Sequence, residues 1–107
     1  MIAKSYKAVF VLPKETEKKL GEYGWEFNSK TPMDIQIVNA LLAEFPELVK
    51  GETDVNTFRK ADLIIDIVNE SSNADYMYIR DYSDNKSNLN KIVSLFGDNP
   101  KLDVFVP

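Results

Sequence analysis

Two β-rich runs separated by a short polar break constrain this chain more than any other feature. Residues 61–70 read ADLIIDIVNE, Ser71, Ser72 and Asn73 follow, and residues 74–82 read ADYMYIRDY. Leu63, Ile64, Ile65, Ile67 and Val68 on one side, and Tyr76, Met77, Tyr78, Ile79 and Tyr82 on the other, are the types that fit a pleated surface. With turn residues between them they predict an antiparallel hairpin, and the rest of the chain has to build a sheet around it.

The flanking segments carry their own signals. Lys4 to Leu12 alternates as a first strand, with Tyr6, Ala8, Phe10 and Leu12 on one face and Lys7, Val9 and Val11 on the other. Residues 14–20 (KETEKKL) offer helix formers with one apolar residue, which predicts at most a short solvated helical turn. Gly21 and Gly24 bracket a loop, and Trp25 and Phe27 follow as a short extra strand or as rings dropped onto the body of the domain.

Thr31 as cap, Pro32 at the first helical position and Asp34 in the first turn announce a helix to about Phe45. Ile35, Val38, Leu41, Leu42 and Phe45 form its apolar stripe, with Ile37 widening it, and Pro46 stops it. Residues 47–50 and 53–60 are read as a further turn and a short helix using Val55 and Phe58. After the hairpin, Ser83 or Asp84 caps a second helix whose Leu89, Ile92, Val93 and Phe96 share a face, with Gly97 and Pro100 ending it. Lys101 to Val106 is a last strand.

Strand, helix, strand, strand, helix, strand is the βαββαβ order of a ferredoxin-like α+β sandwich. The expected fold is a four-stranded antiparallel sheet with two helices on one face, the insertions supplying an extra short strand or helices. At 107 residues the chain is expected to be a single domain, 1–107, that buries about 65% of its unfolded surface. The alternative is another α+β sandwich in which the Trp25–Phe27 segment supplies a fifth strand.

Alternation then sorts side chains between the faces. Tyr6, Ala8, Phe10, Leu63, Ile65, Ile67, Met77, Ile79, Leu102 and Val104 are expected under the helices. The open face is left with Lys7, Val9, Val11, Asp62, Ile64, Asp66, Val68, Tyr76, Tyr78, Arg80, Tyr82 and Phe105, too apolar and aromatic for a plain solvated surface.

Three explanations fit such a face. It is an interface with a protein partner or a second copy, with Asp66 and Arg80 as a charge pair on adjacent strands. It is covered from within, by Trp25, Phe27 and the Val55–Phe58 segment. Or it stacks bases or a flat small molecule on Tyr76, Tyr78 and Phe105. The RNA-recognition pattern asks for Lys or Arg and then Gly ahead of the third-strand aromatics, where this chain has Ala74 and Asp75.

Composition narrows the chemistry. There is no histidine and no cysteine, which removes His-based triads, His acid–base work, thiolate nucleophiles, disulfides and the usual zinc ligands. The four glycines form no phosphate loop. The run Asp81 to Lys86 lacks the glycine of a calcium loop at its sixth position and is expected to cap a helix. Asp62 and Asp66 lie about 13 Å apart along a strand, too far for an acid–base dyad, so Asp66 with Tyr78 or Arg80 is the one polar cluster of interest.

Net charge is −4, with residues 1–30 at +2 and residues 31–107 at −6, so phosphate-backbone binding lacks clustered cations. The apolar run Ala8 to Leu12 is too short for a membrane span or a signal core, and a cytoplasmic location is expected. The sequence reading is a small acidic binding domain that acts by protein–protein contacts of its open sheet face, as a homodimer, with no cofactor or metal. The candidate interaction residues are Tyr76, Tyr78, Arg80, Asp66, Ile64, Val9, Val11, Phe105 and Trp25. The alternatives are a small-molecule-binding or regulatory domain, and an acidic inhibitor of a basic partner.

Overall fold

A computed structural model of the chain describes residues 6–31, 33–51, 56–68 and 76–107. The elements in chain order are β1 (Lys7–Pro13), β2 (Glu17–Gly21), β3 (Gly24–Asn28), α1 (Ile35–Glu44), β4 (Val49–Lys50), β5 (Thr57–Lys60), β6 (Leu63–Val68), β7 (Tyr76–Asp81), α2 (Ser87–Phe96) and β8 (Leu102–Phe105). One sheet runs β4-β5-β6-β7-β1-β8 with every neighbour antiparallel, and β2 and β3 pair as a separate sheet. No helix among the described residues is long and apolar enough to cross a membrane.

The class is α+β, but the fold is not the expected four-stranded ferredoxin-like βαββαβ sandwich. Among the described residues the first insertion forms the separate β2–β3 hairpin and the second adds β4 and β5, so the main sheet has six strands and α1 leads into β4 and β5 before β6 is reached. Residues 14–20 and 57–60 read as helical turns because Lys, Glu and Arg favour helices, yet a weak intrinsic preference yields when a partner strand lies alongside. Glu17–Gly21 finds that partner in Gly24–Asn28, across the two-residue loop of Glu22 and Tyr23, and Gly24 just after it has φ +121°, a conformation that glycine alone adopts without strain. Thr57–Lys60 finds it in Leu63–Asp66. The expected hairpin turn at Ser71–Asn73, Pro32 at a helix start and Val55 lie outside the described residues.

The hydrophobic core lies between the sheet and both helices. Val9, Val11, Leu63, Ile65, Met77, Ile79 and Leu102 from the sheet meet Val38, Leu41 and Phe45 of the first helix and Leu89, Ile92 and Phe96 of the second. The sheet sides of β6, β7 and β8 are as alternation predicts, but β1 is the other way round. Val9 and Val11 are 0% exposed and belong to this core, while Phe10 is the residue opposite Tyr78 and Phe105 on the outer side. Every residue from Ala8 to Leu12 is apolar, so the sequence had no polar face to set the parity, and register with Met77 and Ile79 set it instead.

Both helices are capped by aspartates other than the residues expected. Asp34 caps α1, its Oδ1 accepting the Gln36 N–H at 2.9 Å, three residues beyond Thr31. The start of α2 is held from the end of β7. Asp81 accepts the Leu89 N–H at 2.7 Å, the Ser83 N–H at 2.9 Å and the Ser83 hydroxyl at 2.7 Å, and Asn88 Nδ2 at 3.1 Å. Ser83 therefore supports the cap through Asp81, and β7 is tied to α2 by a buried carboxylate.

Candidate functional site

The outer side of the sheet is divided in two by the β2–β3 hairpin. Phe27 packs on Phe10 and Tyr76 at ring separations of 4.8 and 5.0 Å, and Trp25 meets Phe105 edge-on at 4.8 Å. Lys18 pairs with Asp103 and lies 5.5 Å over the Phe105 ring, and Thr16 and Ser29 share a hydroxyl contact of 2.9 Å. These contacts bury Phe10 and Leu12 from the outer side, so β1 and β8 are packed against on both faces of the sheet. Of the expected internal cover, Trp25 and Phe27 take part. Phe58 does not, because it packs with the core on the helix side.

The uncovered half forms a strip across β5, β6 and β7, bounded by Tyr6 and Tyr82. Cross-strand pairing lines up Arg59, Ile64, Arg80 and Ala8 in one row, and Thr57, Asp66, Tyr78 and Phe10 in the next. The chain's two arginines thus bracket Ile64 on one surface. Neighbouring strands are about 4.8 Å apart, which sets the two arginine backbones about 10 Å from each other.

Asp66 is held from both sides, by the Thr57 hydroxyl at 2.7 Å and by Arg80 Nη2 at 3.1 Å. The pair is partly solvated, with side chains 28% and 27% exposed, so its net stabilisation is that of a rim ion pair, about 1 kcal/mol or less. The Arg80 guanidinium lies 5.5 Å from the Tyr78 ring centroid, and its Nε is buried with no partner among the described residues. The Arg59 side chain has no ion-pair or hydrogen-bond partner among them.

Tyr78 stacks on Phe10 at 4.9 Å with planes 17° apart, which fixes its ring. Burial pushes its hydroxyl pKa up to about 12, the hydrogen bond with Tyr6 adds to the rise, and Arg80 opposes it. A phenol shifted this way is a poorer proton donor or acceptor near neutral pH than a free one. Tyr78 is therefore placed to keep its proton.

Of the expected interaction residues, Ile64, Asp66, Tyr78 and Arg80 come together on the strip, and Tyr76 sits at its border with Phe27. Trp25 and Phe105 are joined to each other in the hairpin contact, and Val9 and Val11 are in the core. Arg59, Thr57 and Tyr6 were not anticipated there. The first two lie on the four-residue strand Thr57–Lys60, whose one apolar side chain gives the sequence no period to read.

At one end the strip opens into a cavity of about 310 Å³ lined by Arg59, Lys60, Ala61, Leu63, Ile64 and Tyr82. Lys60 is occupied by Asp62 at 2.6 Å and Glu47 at 3.8 Å. The Lys60 hydrogen bond holds the Asp62 carboxyl below the ordinary carboxylate range, against the effect of burial. Among the described residues, no three or more Asp or Glu lie close enough to hold a metal ion. Comparison with protein families, with curated proteins and with solved structures finds no match to this chain.

Proposed function

We propose that this chain is a non-enzymatic binding domain that docks a protein partner on the uncovered strip of its outer sheet face. The observation that carries the reading is the division of that face: the hairpin packs on Phe10 and Phe105, whereas Tyr6 is exposed and Ile64, Tyr78, Arg80 and Tyr82 are half-exposed with no hairpin over them among the described residues. Arginine and tyrosine are the residues that protein interfaces concentrate, and a ring fixed by stacking gives contact area at little cost in entropy. A reducing, cytoplasmic setting fits a chain with no cysteine.

The test compares the full chain with Ile64→Glu and Leu95→Glu as bait in its native extract. Ile64→Glu places a glutamate between two arginines and outside the core, and a circular-dichroism melt checks that the variant stays folded. A discrete partner that is lost on Ile64→Glu and kept on Leu95→Glu supports the reading. Equal capture by all three counts against it.

Self-association is a second reading, favoured by the helix layer rather than by the sheet. The ten residues of α1 hold one charged side chain, Glu44, the ten of α2 hold one, Lys91, and these two lie 3.6 Å apart. Ile35, Val93 and Leu95 are exposed on that layer. It is the surface on which a chain of net charge −4 meets its copy with little like-charge repulsion. A solution mass near twice 12.2 kDa that Leu95→Glu halves supports this reading, and a monomer at tens of micromolar sinks it.

A further inference from the structure

The arginine row specifies the chemistry of what docks, given the docking surface proposed above. We infer that the partner presents a carboxylate-bearing segment with an apolar or aromatic side chain beside the acid, seated on Ile64 between Arg59 and Arg80. The strip carries two cations, Arg59 and Arg80, against one carboxylate, Asp66, in a chain whose net charge is −4. Asp66 already takes one arm of Arg80 and the Thr57 hydroxyl. Arg59 is left with donors that nothing among the described residues accepts, while the Arg80 Nε, also without a partner among them, is buried and out of a docking partner's reach.

A guanidinium fork matches a carboxylate in two parallel hydrogen bonds, which a lysine cannot reproduce. Between the two forks lies Ile64, and the adjoining cavity of about 310 Å³ has Tyr82 as a wall, enough for one side chain of leucine or tyrosine size. Acid and apolar group side by side are what this arrangement accommodates.

Two other occupants fit less well. Nucleic acid draws its affinity from many released counterions, and two arginines in an acidic chain supply few. A second copy brought face to face by a two-fold axis through the strip sets each arginine row against the other, cation on cation.

The probe is a fluorescently labelled random copolymer of glutamate and tyrosine, titrated into the full chain and followed by anisotropy. A lysine–tyrosine copolymer of equal length and a single-stranded RNA oligonucleotide serve as comparisons. The inference predicts that the acidic copolymer alone binds. It also predicts that Arg59→Glu weakens this binding by about tenfold or more, and that Arg59→Lys restores it in part. Raising salt from about 0.01 M to about 1 M, over which the screening length falls from about 30 Å to about 3 Å, should weaken it steeply.

Acidic binding that Arg59→Glu leaves unchanged, or no acidic binding at all, overturns the inference. If the basic copolymer or the RNA binds instead and Ile64→Glu abolishes it, the inference falls while the strip survives as a docking surface. If nothing that binds responds to Ile64→Glu, the docking surface falls too.

Discussion

At the scale of single residues, two titratable side chains carry checkable consequences. The Tyr78 hydroxyl, raised to about 12 by burial and then by Tyr6, has a folded pKa above its unfolded value of about 10. Folding thus favours the protonated form, and the stability this contributes is complete below pH about 10 and lost as pH rises towards about 12. In an alkaline tyrosinate titration one phenol of the five is expected to ionise late, near 12, and Tyr78→Phe should remove that phase. Loss of a different phase instead would contradict the stacking and hydrogen bonding described for Tyr78.

Asp81 behaves in the opposite sense. Burial by itself would raise its carboxyl, but hydrogen bonds from the Ser83 hydroxyl and N–H, the Leu89 N–H and Asn88 outweigh that and hold it below the ordinary range. Its contribution is therefore present above pH about 4 and lost as pH falls through the lowered folded value. Asp81→Asn exchanges a charged acceptor for a neutral one and should cost about 2 kcal/mol at neutral pH by chemical denaturation, with the variant less sensitive to acid between pH about 4 and about 2. The Asp66–Arg80 pair was legible in the sequence because cross-strand register follows from the hairpin. The Asp81 cap was not, since the carboxylate reaches α2 from six residues before its first turn, outside any local capping pattern.

At the scale of elements, the hairpin β2–β3 decides how much of the outer face is covered. Its inner residues Trp25 and Phe27 are joined to Phe105, Phe10 and Tyr76 through ring contacts, while Tyr23 at the tip is 96% exposed. Phe27→Ala should cost about 2 kcal/mol, less than the about 3–5 kcal/mol of a fully buried phenylalanine, and should shift the emission of the single tryptophan to longer wavelength. An unchanged spectrum and denaturation midpoint would mean that the hairpin does not pack on the sheet. The strands of the central hairpin and both long helices were legible because their apolar residues keep one period. The parity of β1 was not, because a strand buried on both faces shows no alternation, and β5 was not, because a four-residue strand with one apolar side chain gives too few repeats to show a period.

At the scale of the whole molecule, the two insertions shape the free surface of the sheet in opposite ways. The first folds over one half of the outer face, and the second extends the other half by β4 and β5, adding Arg59 to the row that Arg80 and Ile64 begin. A four-stranded sheet with a bare outer face would have offered one broad apolar surface. The six-stranded one leaves a narrower strip of mixed character, with cations on both sides of an isoleucine. The sequence places Ile64, Asp66, Tyr78, Arg80 and Tyr82 on the outer face, and the long-range pairing of β5 is what brings Arg59 and Thr57 beside them.

The claim that this strip is where the protein works is tested most directly by placing a photoreactive side chain at position 64 and, separately, at position 90 on α2, then irradiating each chain in its native extract. The account predicts a discrete crosslinked product at position 64 whose mass exceeds the chain's 12.2 kDa by something other than a second copy, and no such product at position 90. The same product from both positions, or from position 90 alone, would contradict it.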